Sequence, residues 1–329
     1  MRLLTYSTDG RTTRLGAFVN GDRDIVDLVA AHEAVGRGDA PRSLMSLLDL
    51  IEGGKRASAL ARELVARAPA SALVVRETAR LLAPLQPPPQ IRDCSCFEQH
   101  LRNCYIAGRR YQVRNAPDPE AAYQALDTSE EDRVIAAFRR QPIYYKGNRF
   151  SVVGTGTDVI WPHYSKAMDF ELELACYIGT KAKDVSAAAA GAHIFGYSIY
   201  NDFSARDAQF YESGGGLGPA KGKDFDTGNV LGPCIVTADE IGDPYSLTMI
   251  ARVNGEEWGR GTSRDMHWRF EDLIAHISQS ETLYPGEVLG SGTVGNGCGL
   301  EQLRYLQPND VVELEIEKIG ILRNRIVKG

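Results

Sequence analysis

Two carboxylates one residue apart, Glu171 and Glu173, sit inside the apolar run Asp169-Phe-Glu-Leu-Glu-Leu-Ala-Cys-Tyr-Ile178. An extended strand sends residues i and i+2 to one face, so the pair points together while Leu172, Leu174, Cys176 and Ile178 fill the other. Like charges held side by side on a rigid strand are costly unless a cation or a proton relieves them. Two readings stand: a divalent metal ion held by oxygen ligands, or an acidic strand side facing solvent. Asp202, at the end of the apolar strand Ile194 to Tyr200, is placed to join the pair, although a carboxylate there is also a common cap. Three or four carboxylates with water suit Mg²⁺, Mn²⁺ or Ca²⁺, which prefer hard oxygen donors. No cysteine or histidine accompanies them in the pattern, which disfavours zinc.

Lys223 follows a glycine-dense loop (Gly214-Gly-Gly216, Gly218-Pro219) in Lys221-Gly-Lys-Asp-Phe-Asp-Thr227. A lysine beside a metal could stabilise an oxyanion, and Thr227 could support the metal's water shell; the plain alternative is a solvated surface lysine. The loop lacks the Gly-x-x-x-x-Gly-Lys-Ser/Thr spacing of a phosphate cradle. Among six histidines, His100 is the best candidate base, because it sits on a helical segment just after Asp93 and close to Arg109. His163, His193 and His267 have aromatic or apolar neighbours and read as structural. Ser291-Gly-Thr293 offers hydroxyls and backbone N–H groups in a tight turn, and no Gly-x-Ser-x-Gly elbow of the common serine hydrolases is present.

These residues need elements to hold them. Residues 1 to 29 alternate apolar and polar types around the turn signals Asp9-Gly10 and Asn20-Gly21, which predicts short antiparallel strands. Two helical patterns follow, and Pro84-Leu-Gln-Pro-Pro-Pro89 cannot sustain a helix or a central strand. We place a boundary there, with residues 1–85 forming a small β-rich domain and residues 86–329 the larger one. Phe97 to Tyr111 and Ser129 to Arg140 read as helices, with the polar stretch 115–141 as a surface excursion or lid. Strands are expected at 143–145, 159–161, 170–178 and 193–202. The C-terminal third alternates strands and tight turns around one helix from Phe270. No βαβ rhythm appears, so the fold class expected is mainly β or α+β with few helices, not a doubly wound sheet.

Composition sets outer bounds. A formal charge of −6 leaves no basic surplus for a nucleic-acid backbone, and nucleic acid is an unexpected partner. No apolar stretch reaches membrane-spanning length and no signal-peptide pattern opens the chain, so no membrane partner is expected and cytoplasmic residence is the expectation. Six cysteines form no Cys-x-x-Cys pair and are expected to be reduced. Cys94-x-Cys96 lacks the further ligands a zinc set requires.

Taken together, Asp169-Phe-Glu-Leu-Glu173, Asn201-Asp-Phe-Ser-Ala-Arg-Asp207 with Gln209, Lys221-Gly-Lys-Asp-Phe-Asp-Thr227 and Gly290-Ser-Gly-Thr293 resemble the fumarylacetoacetate hydrolase family. The resemblance runs from about Asp93 to the end, and residues 1–85 match only loosely. It implies a mixed β-sandwich roll and a metal, Mg²⁺ or Ca²⁺, bound by Glu171, Glu173 and Asp202. Hydrolases of the family place an aspartate ligand seven residues before a catalytic histidine, which by position means Asp93 and His100. Arg109 then corresponds to a substrate-binding arginine and Glu301 to the glutamate that orients the histidine. Arg206, Gln209 and Lys223 resemble oxyanion and substrate-holding groups, and Thr293 a substrate contact. Two substrate-contacting tyrosines of the family fall near Ser95 and Ser213 here, which leaves the acyl group open.

The implied activity is metal-dependent hydrolysis of a β-diketone acid, in aromatic-compound or amino-acid catabolism, by a homodimer. Decarboxylation, tautomerisation or hydration of a 2-oxo acid at the same metal is the alternative reaction. A non-catalytic, metal-stabilised β protein that binds a small organic acid is the alternative from another class.

Overall fold

The computed structural model describes residues 1–36 and 38–329. Its centre is a large, mostly antiparallel sheet whose neighbouring strands run Arg2–Ser7, Asn229–Thr237, Ile194–Asp202, Leu172–Ile178, Val288–Gly290, Ile91–Ser95 and Ile143–Lys146. The N-terminal strands Arg14–Val19, Asp24–Asp27 and Leu73–Val75 extend it beyond Arg2–Ser7, which pairs directly with Asn229–Thr237. A second sheet of five strands is ordered Glu256–Thr262, Thr248–Val253, Val311–Ile316, Gly320–Lys328 and Val159–Trp161.

Both faces of the large sheet are buried, and strand alternation sorts them. Leu172, Leu174, Cys176 and Ile178 join a core that includes Met249, Ala251, Leu314 and Ile316 of the second sheet. Ala175 and Tyr177, on the opposite face, join a core with Leu47, Leu50 and Leu64 from the N-terminal helices. Glu173 shares the parity of that second face. Leu172, Leu174 and Ile178 are wholly buried, and at about 1.5–3 kcal/mol for each such side chain they hold the strand rigid. The strand predicted to start at Phe170 joins the large-sheet ladder at Leu172: Asp169 pairs with Ser204 in a separate two-stranded ribbon, and Glu171 makes a lone bridge to Cys298.

The architecture is the expected α+β arrangement, with more helices than the few predicted: the described residues contain ten α-helices. Arg206–Ser213 is one not foreseen; its start is hidden because Asn201 to Ala205 continues extended. Glu98–Val113 and Ser129–Arg140 match the helical periods read above. No helix among the described residues is long and apolar enough to cross a membrane.

Candidate metal centre and active site

Three strands of four adjacent ones deliver carboxylates to one spot. Asp202 ends the Ile194–Asp202 strand, Glu173 sits near the start of its neighbour with Glu171 just ahead of it, and Asp93 lies two strands further on. The strand between them contributes Gly290, whose register partner is Asp93. A Cβ at Gly290 would lie 2.7 Å from both Asp93 Oδ1 and Glu173 Oε2. The missing side chain is therefore the space in which the acids converge. Asp93, Glu171, Glu173 and Asp202 are all buried, and each offers a carboxylate oxygen within 4.8 Å of the others'.

Hydrogen bonds account for only part of these oxygens. Lys223 Nζ donates to Glu171 Oε2 and Asp202 Oδ2 at 2.6 Å each. Arg206 Nη1 donates to Glu171 Oε1 at 2.7 Å, Tyr145 Oη to Asp202 Oδ2 at 2.6 Å, and Gly292 N to Glu173 Oε2 at 3.0 Å. Asp93 Oδ1, Glu173 Oε1 and Asp202 Oδ1 are buried with no donor among the described residues. Buried carboxylate oxygens without donors are costly, and an all-oxygen set of this kind fits a hard divalent cation.

The electrostatics say the same. Burial, followed by Asp202, pushes the Asp93 carboxyl up to about 7. Burial and Asp93 push Glu173 well up, and burial pushes Asp202 up against the pull of Lys223. Glu171 goes the other way: burial opposes its charge, but Lys223 and Arg206 outweigh that and hold it well below the usual carboxylate range. Lys223, with an Arg206 that is shared with Asp169, cannot balance four carboxylates, and a dication would.

Beside the cluster opens a cavity of about 280 Å³, lined among others by Ser95, His100, Tyr144, Tyr145, Lys223 and Thr293. His100 Nδ1 lies 2.8 Å from Glu301 Oε1, across 201 residues of sequence, and Glu301 is anchored in turn by the Asn296 backbone N–H at 2.7 Å and by Asn103. Burial works against the His100 imidazolium, while Cys298 and Glu301 favour it, and the balance lies upward, at about 10. The contribution of Cys298 requires a thiolate, yet burial keeps that thiol protonated far above neutrality. Glu301 is then the group that acts on the ring in the neutral range.

Asp169, for which the sequence offers no role beyond a turn or an indirect contact, holds the back of the site. It is completely buried, accepts from Arg206 Nε and Nη2 at 2.9 and 2.7 Å, and accepts from the Gly299 and Leu300 N–H groups at 2.8 and 2.9 Å. It therefore ties Arg206 to the turn that carries Glu301. Arg206 is spent on Asp169, Glu171 and Gln209 Oε1 and stands behind the cavity wall. Gln209, which lines the cavity, is left with its amide N–H groups to offer. The three-residue spacing of Arg206 and Gln209, about one helical turn, is the signal by which this unforeseen helix face could have been read.

Three predicted positions fall elsewhere. Arg109 pairs with Glu131 and Tyr123 and lines a separate cavity of about 500 Å³ together with Ser213; its helix face turns toward Ser129–Arg140, not toward the acids. The Thr227 hydroxyl accepts from the Ile160 N–H at 2.8 Å and lines no part of the cavity, because residue 227 adopts a left-handed turn (φ 67°) directed at the Val159–Trp161 strand. Tyr144 and Tyr145, by contrast, reach the cavity from an edge strand whose apolar pattern gave no sign of it.

A sequence model of the fumarylacetoacetate hydrolase C-terminal region matches residues 91–327. The chain belongs to the fumarylacetoacetate hydrolase family. It is 40% identical over 189 residues to the human oxaloacetate tautomerase FAHD2A, mitochondrial, a match spanning 57% of this chain and 60% of that protein's length. It is 35% identical over 208 residues to a 2,4-didehydro-3-deoxy-L-rhamnonate hydrolase of Sphingomonas, spanning 61% of this chain and 72% of the relative. Among solved structures, the fumarylacetoacetate hydrolase of Exiguobacterium antarcticum superposes along the whole of both chains with a TM-score of 0.72 at 26% identity.

Proposed function

We propose that this family member hydrolyses the carbon–carbon bond of a β-diketone acid, an acylpyruvate or a fumarylacetoacetate-like compound. The observation that carries the reading is the His100–Glu301 pair at 2.8 Å, on the wall of the cavity that the acidic cluster closes. Asp93, Glu171, Glu173 and Asp202 would hold Mg²⁺, or Ca²⁺ or Mn²⁺. Such an ion, when bound, polarises a chelated dicarbonyl and lowers the cost of enolate charge.

The chain's own groups account for the rest. Glu301 accepts the proton of His100 Nδ1, which fixes the tautomer; because the same carboxylate holds the imidazole upward, Nε2 takes a proton from water in the fraction of chains whose ring is neutral, and that fraction grows as pH rises. The hydroxide adds to the acyl carbonyl. Lys223 donates to the Glu171 and Asp202 carboxylates at 2.6 Å each and only at 3.5 Å to the Asp202 carbonyl, so its third N–H, with the amide of Gln209, can turn to meet the tetrahedral oxyanion. Collapse of that oxyanion breaks the carbon–carbon bond, whose electron pair leaves as an enolate. The proton held on His100 then returns to the enolate carbon. Thr293 and Ser95 offer hydroxyls for the substrate carboxylate. Arg206 orients Gln209 and touches no substrate.

A second reading has a specific observation behind it, the 40% identity to a protein named as an oxaloacetate tautomerase. There His100 would shuttle one proton between carbon and oxygen, and no water would be consumed. Assays of acylpyruvates and fumarylacetoacetate by ultraviolet depletion, and of oxaloacetate keto–enol exchange, with Mg²⁺ and with a chelator, separate the two. We expect diketone consumption with two acids as products, and a fall of roughly 10²- to 10⁴-fold in His100→Ala. Intact diketones together with accelerated oxaloacetate exchange would replace hydrolysis by tautomerisation.

A further inference from the structure

His100 has sulfur neighbours that hydrolysis does not use. Cys104 lies one helical turn after it, on the same face of Glu98–Val113. Cys298 comes from the opposite side, on the turn that leads to Glu301, with its backbone bridged to Glu171. Ligand atoms of His100, Cys104 and Cys298 all lie within 4.8 Å of one another. Cys104 Sγ is 3.7 Å from His100 Nε2, and Cys298 Sγ is 3.6 Å from Glu301 Oε1. A tetrahedral ion with metal–sulfur bonds of about 2.3 Å and metal–nitrogen bonds of about 2.0–2.1 Å sets neighbouring donors about 3.5–3.8 Å apart. The three donors already stand within about an ångström of that spacing, and the His100 ring, whose Nδ1 and Nε2 lie 3.8 and 3.7 Å from Cys104 Sγ, must turn to aim Nε2 at the ion.

We propose that His100 Nε2, Cys104 Sγ and Cys298 Sγ form a second metal site, which takes a thiophilic divalent ion such as Zn²⁺ or Cd²⁺ and shuts down the active site when filled. Glu301 on Nδ1 supplies the carboxylate–histidine–metal relay that such sites use to orient the ring. The fourth position is left to water or substrate. Two sulfurs and an imidazole select a soft ion, whereas the neighbouring acidic cluster offers only oxygen, so the two sites divide metals by hardness. Access is available: His100 lines the 280 Å³ cavity, and Cys104, half-buried, lines the cavity on the Arg109 side. Burial keeps the Cys298 thiol protonated, so an ion must displace that proton as it binds. Coordination consumes the Nε2 lone pair that would otherwise take the proton of water. The inhibitory half of this inference rests on His100 being the base; the binding half does not.

The test is a Cd²⁺ titration of the Mg²⁺-saturated protein, followed by the ultraviolet thiolate-to-cadmium charge-transfer band, alongside Zn²⁺ inhibition of turnover. The wild type should show a band that saturates at one ion per chain. Cys104→Ala should keep its melting temperature and its turnover in Mg²⁺ without zinc, lose the band, and need roughly 10-fold or more Zn²⁺ for half inhibition. Absence of a band in the wild type, or a band and inhibition that Cys104→Ala leaves unchanged, would overturn the site and move zinc to the acidic cluster. A Cys104-dependent band with undiminished turnover would keep the site, overturn its inhibitory role, and remove His100 as the base.

Discussion

The acidic cluster makes the stability of the metal-free protein depend on pH in a direction opposite to ordinary acid denaturation. Asp93 is raised from the usual 3.8 to about 7, first by burial and then by Asp202. Between those values the folded chain keeps a proton that the unfolded chain has lost. Stability of the metal-free protein therefore falls as pH rises through this window: the loss is absent below about pH 4 and complete above about pH 7. At about 1.4 kcal/mol per pH unit the loss is on the order of 4 kcal/mol. A bound cation needs the ionised carboxylate and removes that loss, so metal affinity rises across the same window.

The assay is a set of melts across the window in Mg²⁺ and in chelator. The difference between the two series cancels the charges outside the cluster, and Glu171 stays ionised throughout because Lys223 and Arg206 hold it low against its burial. We expect the gap in melting temperature to widen by roughly 10 °C from the acid to the neutral end. Asp93→Asn cannot ionise at that position, so in chelator above pH 7 it should melt higher than the wild type, and its gap should widen less, through Glu173 and Asp202 alone. A gap that is constant with pH, or an Asp93→Asn protein that melts below the wild type in chelator at neutral pH, would refute the reasoning.

Gly290→Ala should abolish Mg²⁺ stabilisation at a folding cost of about 1–3 kcal/mol, since its Cβ would stand 2.7 Å from Asp93 Oδ1 and Glu173 Oε2; a wild-type Mg²⁺ shift in that variant would contradict the convergence argument. Asp169→Asn leaves Arg206 with Glu171 as its remaining buried carboxylate and weakens the Glu301 turn, so urea unfolding should show a loss of about 1–3 kcal/mol; a variant of wild-type stability would mean that the pair is not the tie described. Glu301→Gln removes the group that favours the His100 imidazolium. The acid limb of its kcat/KM profile should then move to lower pH, and an unmoved limb would detach Glu301 from the base.

Local pattern alone located most of the elements. Alternation in Leu172–Ile178 fixed which side chains face which way, and the 3.6-residue period placed Ser129–Arg140 to the residue, because both depend on backbone geometry and nearest neighbours. The carboxylates Glu171, Glu173 and Asp202 were also legible, since an acid in an apolar strand is an anomaly within its own segment. Other features depend on partners distant in the chain. Asp169 reads as a turn residue until Arg206 and the Gly299 and Leu300 amides close on it. Cys104 and Cys298 read as unrelated buried thiols until the His100 helix packs against the Glu301 turn. Arg109 and Thr227 carry suitable chemistry at suitable sequence positions, but a helix rotation and a left-handed turn aim them elsewhere. Side-chain type and strand parity are properties of the chain; the tertiary structure alone decides which atoms meet, because strand order and helix docking bring together residues that no local interaction relates.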